Sequence, residues 1–340
     1  MSKMKVTLIG IDLAKNIFQV CGVNQAGKSV FNRSIKRAQL LTFLRTYPDA
    51  TIAMEACSGS NYWGRELLSL GHDVKLIPPQ HVKPFVKGNK NDRNDAFAIC
   101  EAAQRPNLIF VQPRTLAQVD IIITHRIRER RIRIRTALTN QIRGLLSEYG
   151  IALPKGRNPL NLLLPELLED ASNQLTTIAR QYMRELMEEL RAINVAIGSL
   201  EKDIKLQART HPDAKRLMGI RGVAEIIATA AVSFAGDGSG YHGARHFSAN
   251  LGLVPKEFSS GGKQKLSGIT KRGNSYLRRQ LIQGAWSIIR YASKSNDRIS
   301  VWALKVIERR GKQKAAVAIA NKLARIIWAL LFHRSEYRSC

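Results

Sequence analysis

Val6-Thr7-Leu8-Ile9-Gly10-Ile11-Asp12 decides how the first third of this 340-residue chain reads. The run is aliphatic, rich in β-formers, and stops at a carboxylate. It therefore predicts a strand whose end carries an acid. Outward from it, residues 17–23 and 29–35 predict two more strands around the turn-like Asn24-Gln25-Ala26-Gly27. Residues 37–47 predict a helix with Leu40, Leu41 and Leu44 on one face. A strand over 51–54 ends at Glu55, a helix over 62–70 stops at Gly71, and a buried-type strand over 74–77 is closed by Pro78-Pro79. A helix over 92–103 ends before Pro106. Three strands followed by helix, strand, helix, strand, helix make residues 1–112 an α/β domain.

Helical periodicity takes over next. Leu116, Val119, Ile123, Ile127, Ile134, Leu138, Ile142 and Leu145 recur at helical spacings. Ile132-Arg133-Ile134-Arg135 alternates locally like a strand, but the longer period favours helix. Residues 150–164, with Pro154, Gly156 and Pro159, read as a connector. Leu175, Ala179, Tyr182, Leu186, Leu190, Ile193, Ile197, Leu200 and Ile204 then keep a three-four alternation, the pattern of a coiled coil or long helical hairpin. Residues 113–207 are thus a helical coiled-coil region. Two helices packing on each other would satisfy the pattern, and so would dimerisation. Residues 208–340 form a third block, glycine-rich at first and then mainly helical over 276–292 and 315–332, with a turn near Gly311.

Lys and Arg number 54 against 26 Asp and Glu, for a net charge of +28 and a pI of about 10.5. Such self-repulsion in a folded chain points to an anionic polymer, nucleic acid first. An apolar fraction of 44% separates the chain from disordered polycations. The uncharged stretch 226–235 is too short to span a bilayer, and Lys3, Lys5 and Asp12 leave no signal-peptide core. Cys21, Cys57, Cys100 and Cys340 form no CxxC pair, so a cytoplasmic, reduced protein without a disulfide framework is expected. Arg126, Arg128, Arg130, Arg131, Arg133, Arg135 and Arg143, interrupted by one acid, Glu129, suit a helical phosphate rail. From Lys256 onward, 19 basic residues face four acids. No helix-turn-helix or zinc finger is visible.

Acids are scarce, so their positions carry weight. Asp12 and Glu55 end strands; Asp92 and Asp95 share one face at the start of a helix. Taken alone, the helix pair also fits acids favoured by the macrodipole. Together, four carboxylates without Cys or His suit a hard cation, Mg²⁺ or Mn²⁺, able to clamp a phosphodiester. Actin-like sugar kinases begin similarly but need glycine-rich phosphate loops, which the first two blocks lack.

Ile9-Gly10-Ile11-Asp12-Leu13-Ala14-Lys15, Met54-Glu55-Ala56-Cys57-Ser58-Gly59 and Lys87-Gly88-Asn89-Lys90-Asn91-Asp92-Arg93-Asn94-Asp95-Ala96 resemble the three acidic motifs of the DEDD insertion-sequence transposases related to Piv DNA invertases. Leu251-Gly252-Leu253-Val254-Pro255, Ser259-Ser260-Gly261-Gly262-Lys263, Gly268-Ile269-Thr270-Lys271-Arg272-Gly273-Asn274 and Leu277-Arg278 resemble the same family's C-terminal part. The resemblance implies a RuvC-like, RNase H-fold catalytic domain over 1–112 and a transposase domain over 208–340. It implies Mg²⁺-dependent DNA strand exchange by Asp12, Glu55, Asp92 and Asp95 with a C-terminal serine that becomes covalently joined to DNA. Ser259 and Ser260 both fit that role. Lys263, Lys265, Lys271 and Arg272 suit the developing phosphate charge, and Arg278 and Arg221 complete the candidate nucleic-acid contacts. The resemblance further implies a bridge RNA that pairs with target and donor DNA, a homo-oligomer of two or four copies, and a bacterial setting at the nucleoid. The family's Ile-Pro-Gly-Val-Gly-like hairpin appears here as Ile220-Arg221-Gly222-Val223-Ala224, without its proline and second glycine. A plain metal nuclease or junction resolvase, and a non-catalytic nucleic-acid-binding protein, are the alternative readings.

Overall fold

The computed structural model describes residues 5–88, 91–154 and 156–338. Lys3, Asn89 and Lys90 of the sequence arguments, and Cys340, lie outside them. Two compact units form, one from residues 1–118 with 235–247, the other from 119–234 with 248–340.

The first unit is built on a five-stranded sheet in the order β3-β2-β1-β4-β5. β1 (Leu8–Asp12), β2 (Ile17–Val23) and β3 (Ser29–Lys36) form an antiparallel meander, while β4 (Thr51–Glu55) and β5 (Val74–Ile77) extend it in parallel beyond β1. Strand alternation divides the side chains between two cores. Ile9, Ile11, Ile52 and Met54 point to one face, where α1 (Leu40–Leu44) and α2 (Ser60–Ser69) bury Leu40, Leu44, Trp63 and Leu67. Leu8 and Ala53 point to the other, against the short α3 (Pro79–Val82) and against α4 (Asp92–Ala103), which contributes Ala96, Ile99 and Cys100. α4 sits close because position 10 is glycine: a Cβ there would stand 2.6 Å from the Ala96 carbonyl oxygen and from Cys100 Sγ.

The second unit is helical. α5 (Leu116–Ser147, its first turn in the first unit) and α7 (Thr177–Thr210) run antiparallel. Arg128 pairs with Glu201 at 2.6 Å, and Gln207 Nε2 donates to Thr124 Oγ1 at 3.4 Å. The expected connector is instead helical from residue 157: α6 (Arg157–Glu169) aligns Leu160, Leu164 and Leu168 on one buried face against Leu138, Ile142 and Leu146 of α5 and Met183 of α7. Pro159 falls in the first turn, where no intrahelical donor is lost. Burial of the leucine face then carries α6 past Pro165. α5 and α7 thus pair within one chain, and α6 packs against both. Tyr182, Leu116, Ile123, Ile134 and Leu145, placed in the apolar seam by spacing, are exposed.

α8 (Pro212–Leu217), α9 (Glu225–Ala235), α10 (Ala244–Asn250), α11 (Ser275–Tyr291) and α12 (Arg298–His333) follow. α12 begins well before the expected helix over 315–332. It is broken at Gly311, whose φ of 77° interrupts the helical backbone. By length and composition α12 is apolar enough to cross a membrane, yet 56% of its apolar window is buried. It packs as a core helix against α11. A buried polar cluster ties α5 to α9 and α11. Thr229 Oγ1 donates to the Glu225 carbonyl at 2.6 Å, so it accepts from His125 Nε2 at 2.9 Å, and His125 Nδ1 accepts from the Tyr276 hydroxyl at 2.8 Å. Burial, reinforced by the Arg128 charge, pushes His125 down to about 4.

Candidate functional site

β1 and β4 pair in register Ile11↔Met54, and the next residue on each strand is an acid, Asp12 and Glu55. Both lie in phase with Gly10 and Ala53, so both belong to the sheet face that α4 covers. Asp92 and Asp95 occupy the first turn of that same helix, started by Asn91, whose side chain accepts from the Asn94 amide at 2.8 Å. Asn32 Nδ2 anchors the turn from β3 by donating to the Arg93 carbonyl at 2.9 Å. The two strand-end acids act on a common neighbour. The Cys57 thiol is pushed up from its ordinary value by burial first, then by the charges of Glu55 and Asp12. The sequence pattern gave Cys57 no role at the acidic site, although it lies two residues beyond Glu55.

Negative charge thus gathers at the end of β1 and β4, and its donors are carboxylate oxygens, the chemistry a hard divalent cation needs. Among the described residues, however, no three His, Cys, Asp or Glu side chains stand close enough to hold a metal ion. Asp12 and Glu55 are the pair the sheet brings together. Asp92 is exposed and Asp95 half-buried on the helix above them.

In the second unit, both candidate serines lie on an exposed β-hairpin. β6 (Pro255–Glu257) and β7 (Leu266–Ile269) are its legs. Ser260-Gly261-Gly262-Lys263 makes the turn at its tip; Gly261 and Gly262 both have positive φ, and the Lys263 amide bonds the Ser260 carbonyl at 3.0 Å. Ser259 Oγ donates to Glu257 Oε1 at 2.6 Å and accepts from the Lys265 amide at 3.3 Å. Gln264 Nε2 also reaches Glu257 Oε1, at 3.5 Å. Glu257 was not singled out from the sequence. Its one signal was position, two residues before Ser259 and hence on the same face of an extended chain.

The hairpin's base is locked. The Thr270 amide bonds the Val254 carbonyl at 2.9 Å, and the Lys271 amide bonds the Gly252 carbonyl at 3.2 Å. A Cβ on Gly273 would fall 1.8 Å from the Asn250 carbonyl oxygen. Lys271 itself adopts φ 56°, a backbone region costly for a side chain. Arg278, expected as a nucleic-acid contact, lies at the base of the hairpin. It is only 8% exposed, and its Nη1 donates to the carbonyls of Leu251 and Arg272, so the guanidinium clamps the loop. Lys263, Lys265, Lys271 and Arg272 are exposed.

Along α5, Arg126, Arg130 and Arg133 face solvent, while Arg131 and Arg135 are half-buried. Arg128 is held by Glu201, and Glu129 receives both Arg133 and Arg279. In the 220–224 turn, Arg221 pairs with Asp297 at 2.8 Å and also bonds Ser295. Gly222 there packs on Gly284 of α11; its Cβ would stand 2.8 Å from the Gly284 carbonyl oxygen.

Residues 9–151 match the family model described as "Transposase" for DEDD enzymes of the IS110 type, and residues 214–300 match the model "Transposase IS116/IS110/IS902 family". The transposase for insertion sequence element IS1111A of Coxiella burnetii is 42% identical over 337 residues, covering 99% of this chain and 93% of that protein. A probable family 20 transposase of Pseudomonas aeruginosa is 44% identical over 336 residues, covering 98% and 99%. The pilin gene-inverting protein of Moraxella bovis is more distant, 23% identical over 349 residues. The matched N-terminal domain is of the RNase H-like, divalent-metal-dependent type, as the mixed sheet and strand-end acids imply. The chain belongs to the IS116/IS110/IS902 transposase family and is a DEDD transposase that acts on DNA.

Proposed function

We propose that this transposase exchanges DNA strands through a covalent serine intermediate, with Mg²⁺ at the acidic end of the sheet and a bridge RNA choosing the sites. The observation that carries the reading is the pairing of Asp12 and Glu55 at adjacent strand ends, on the face crossed by the helix that begins with Asp92 and Asp95. Asp12 and Glu55 would seat the cation, and Asp92 and Asp95, which do not stand in a ready cluster with them, would have to close on it; when bound it would supply charge that polarises phosphate oxygens. Ser259 or Ser260 supplies the nucleophile. Lys263 and Lys265 near the hairpin tip, with Lys271 and Arg272 at its base, draw in the phosphate. The exposed arginines of α5 hold backbone without reading bases, which suits an enzyme whose sequence choice is made by RNA pairing. The distant likeness to a gene-inverting protein supports kinship with the Piv invertases. Exposed apolar residues on α5 and α7, Ile123, Ile134 and Val195 among them, favour assembly of two or four copies.

The test is adduct trapping with the full-length protein, its co-purifying RNA and end-labelled element DNA. A protein–DNA adduct that requires Mg²⁺ and vanishes in one serine-to-alanine variant supports strand exchange. Metal-dependent cleavage with no adduct would identify a hydrolytic nuclease. Sequencing the co-purified RNA should return a transcript of the element's non-coding end, and a random population would sink RNA guidance.

A further inference from the structure

The geometry points to Ser259 as the nucleophile and to Glu257 as the base that takes its proton. This rests on the covalent-serine reading above. A serine hydroxyl is a weak nucleophile until a neighbouring group accepts its proton. A general base must lie within about 2.6–3.2 Å of the atom it deprotonates. The Glu257 carboxylate meets that condition at 2.6 Å from Ser259 Oγ, with the hydroxyl as donor. The Lys265 amide points at the same oxygen from across the hairpin and would steady it as charge builds. Gln264 Nε2 holds the carboxylate oxygen from the opposite leg. Strand alternation supplies the register: Glu257 and Ser259 share a face, whereas Ser260 belongs to the other and enters the tip turn through its carbonyl.

The pair lies outside any core. Residues 255–268 are exposed throughout, so the Glu257–Ser259 bond does not fill a packing need of the unit. In the step proposed, Ser259 Oγ forms a bond to phosphorus as the bond from phosphorus to one deoxyribose oxygen breaks. The hydroxyl proton passes to Glu257, and the departing deoxyribose oxygen takes a proton from water. Resealing reverses the transfers: a deoxyribose hydroxyl gives its proton back to hydroxide as its oxygen bonds to phosphorus, the serine–phosphorus bond breaks, and Glu257 returns its proton to the serine oxygen.

The experiment measures the single-turnover rate of adduct formation on end-labelled element DNA, with Mg²⁺ and co-purified RNA, using full-length variants. Gel-shift affinity is measured on the same samples. Ser259→Ala should give no adduct. Glu257→Gln should slow adduct formation about 100-fold or more with DNA affinity unchanged. Its rate should climb with pH from 6 to 9, as hydroxide takes over the proton, where the wild type is flat. Glu257→Asp should recover most of the rate. If Ser259→Ala abolishes the adduct while Glu257→Gln matches wild type in rate and pH profile, the base assignment is overturned and the covalent-serine reading stands. If Ser260→Ala alone abolishes it, both assignments here fall and the covalent reading again stands. An adduct indifferent to both serines, or none in the wild type, overturns the covalent reading itself.

Discussion

At the scale of single residues, position told more than identity. Asp12 was legible because a hydrophobic strand rarely ends in a carboxylate, and register then set Glu55 beside it. Asp12→Asn keeps shape and removes charge. It should cut strand exchange by at least about 100-fold while leaving the circular dichroism spectrum and DNA affinity unchanged. Full activity in that variant would remove the acids from the reaction. His125 was not legible, because an isolated histidine on a helical seam does not announce its partners. Its neutral form is held between Tyr276 and Thr229. Its value in the fold, about 4, lies below the unfolded value of about 6.5. The unfolded chain therefore binds the extra proton first. The stabilisation is fully present well above pH 6.5 and is lost as pH falls through 6.5 toward 4, by roughly 3–3.5 kcal/mol at the limit, of which the first part falls between pH 7 and 5. Urea unfolding from pH 7 to 5 should show this loss in the wild type. His125→Gln should show a smaller slope over the same window.

At the scale of elements, long periodic segments were read well and short or interrupted ones were not. The 3.6-residue period of α5 overrode its local Ile-Arg alternation, and α7 followed its apolar seam. α6 was hidden by two prolines, because the leucine face that stabilises it gains its partners only when α5 and α7 are in place. The first part of α12 was hidden by its charges and by Gly311. The β6–β7 hairpin was hidden because it buries nothing. With both faces in solvent, its strands show no alternation of apolar and polar residues. On α5, the arginines already spent on partners separate from those available to DNA. Arg126→Ala and Arg130→Ala should each lessen the dependence of log affinity on log salt by about 0.9 if each meets one phosphate. Arg128→Ala should instead lower the melting temperature through loss of the Glu201 pair. Titrations at several salt concentrations, with thermal melts of the same variants, distinguish the two effects.

At the scale of the molecule, a chain of net charge +28 keeps its paired strand-end acids on one sheet and displays much of its base elsewhere. The two units divide those tasks, the acids in the first and the hairpin serines and arginine-bearing helix in the second. Charge alone identified a polyanion as partner. The paired acids and the family match turned that into DNA transposition. The partition between units was less legible, because residues 235–247 join the first unit from far along the chain, and no local pattern records such a return.

The locked base of the hairpin has a mechanical consequence. Gly273 against Asn250, and Arg278 gripping two carbonyls, fasten the loop where it leaves the unit, while the tip beyond Pro255 has no support of its own. The segment is a cantilever: thermal motion and any protease should concentrate at Gly261-Gly262. Brief digestion should sever the chain there first, and the two fragments should still elute together under native conditions, separating only in denaturant.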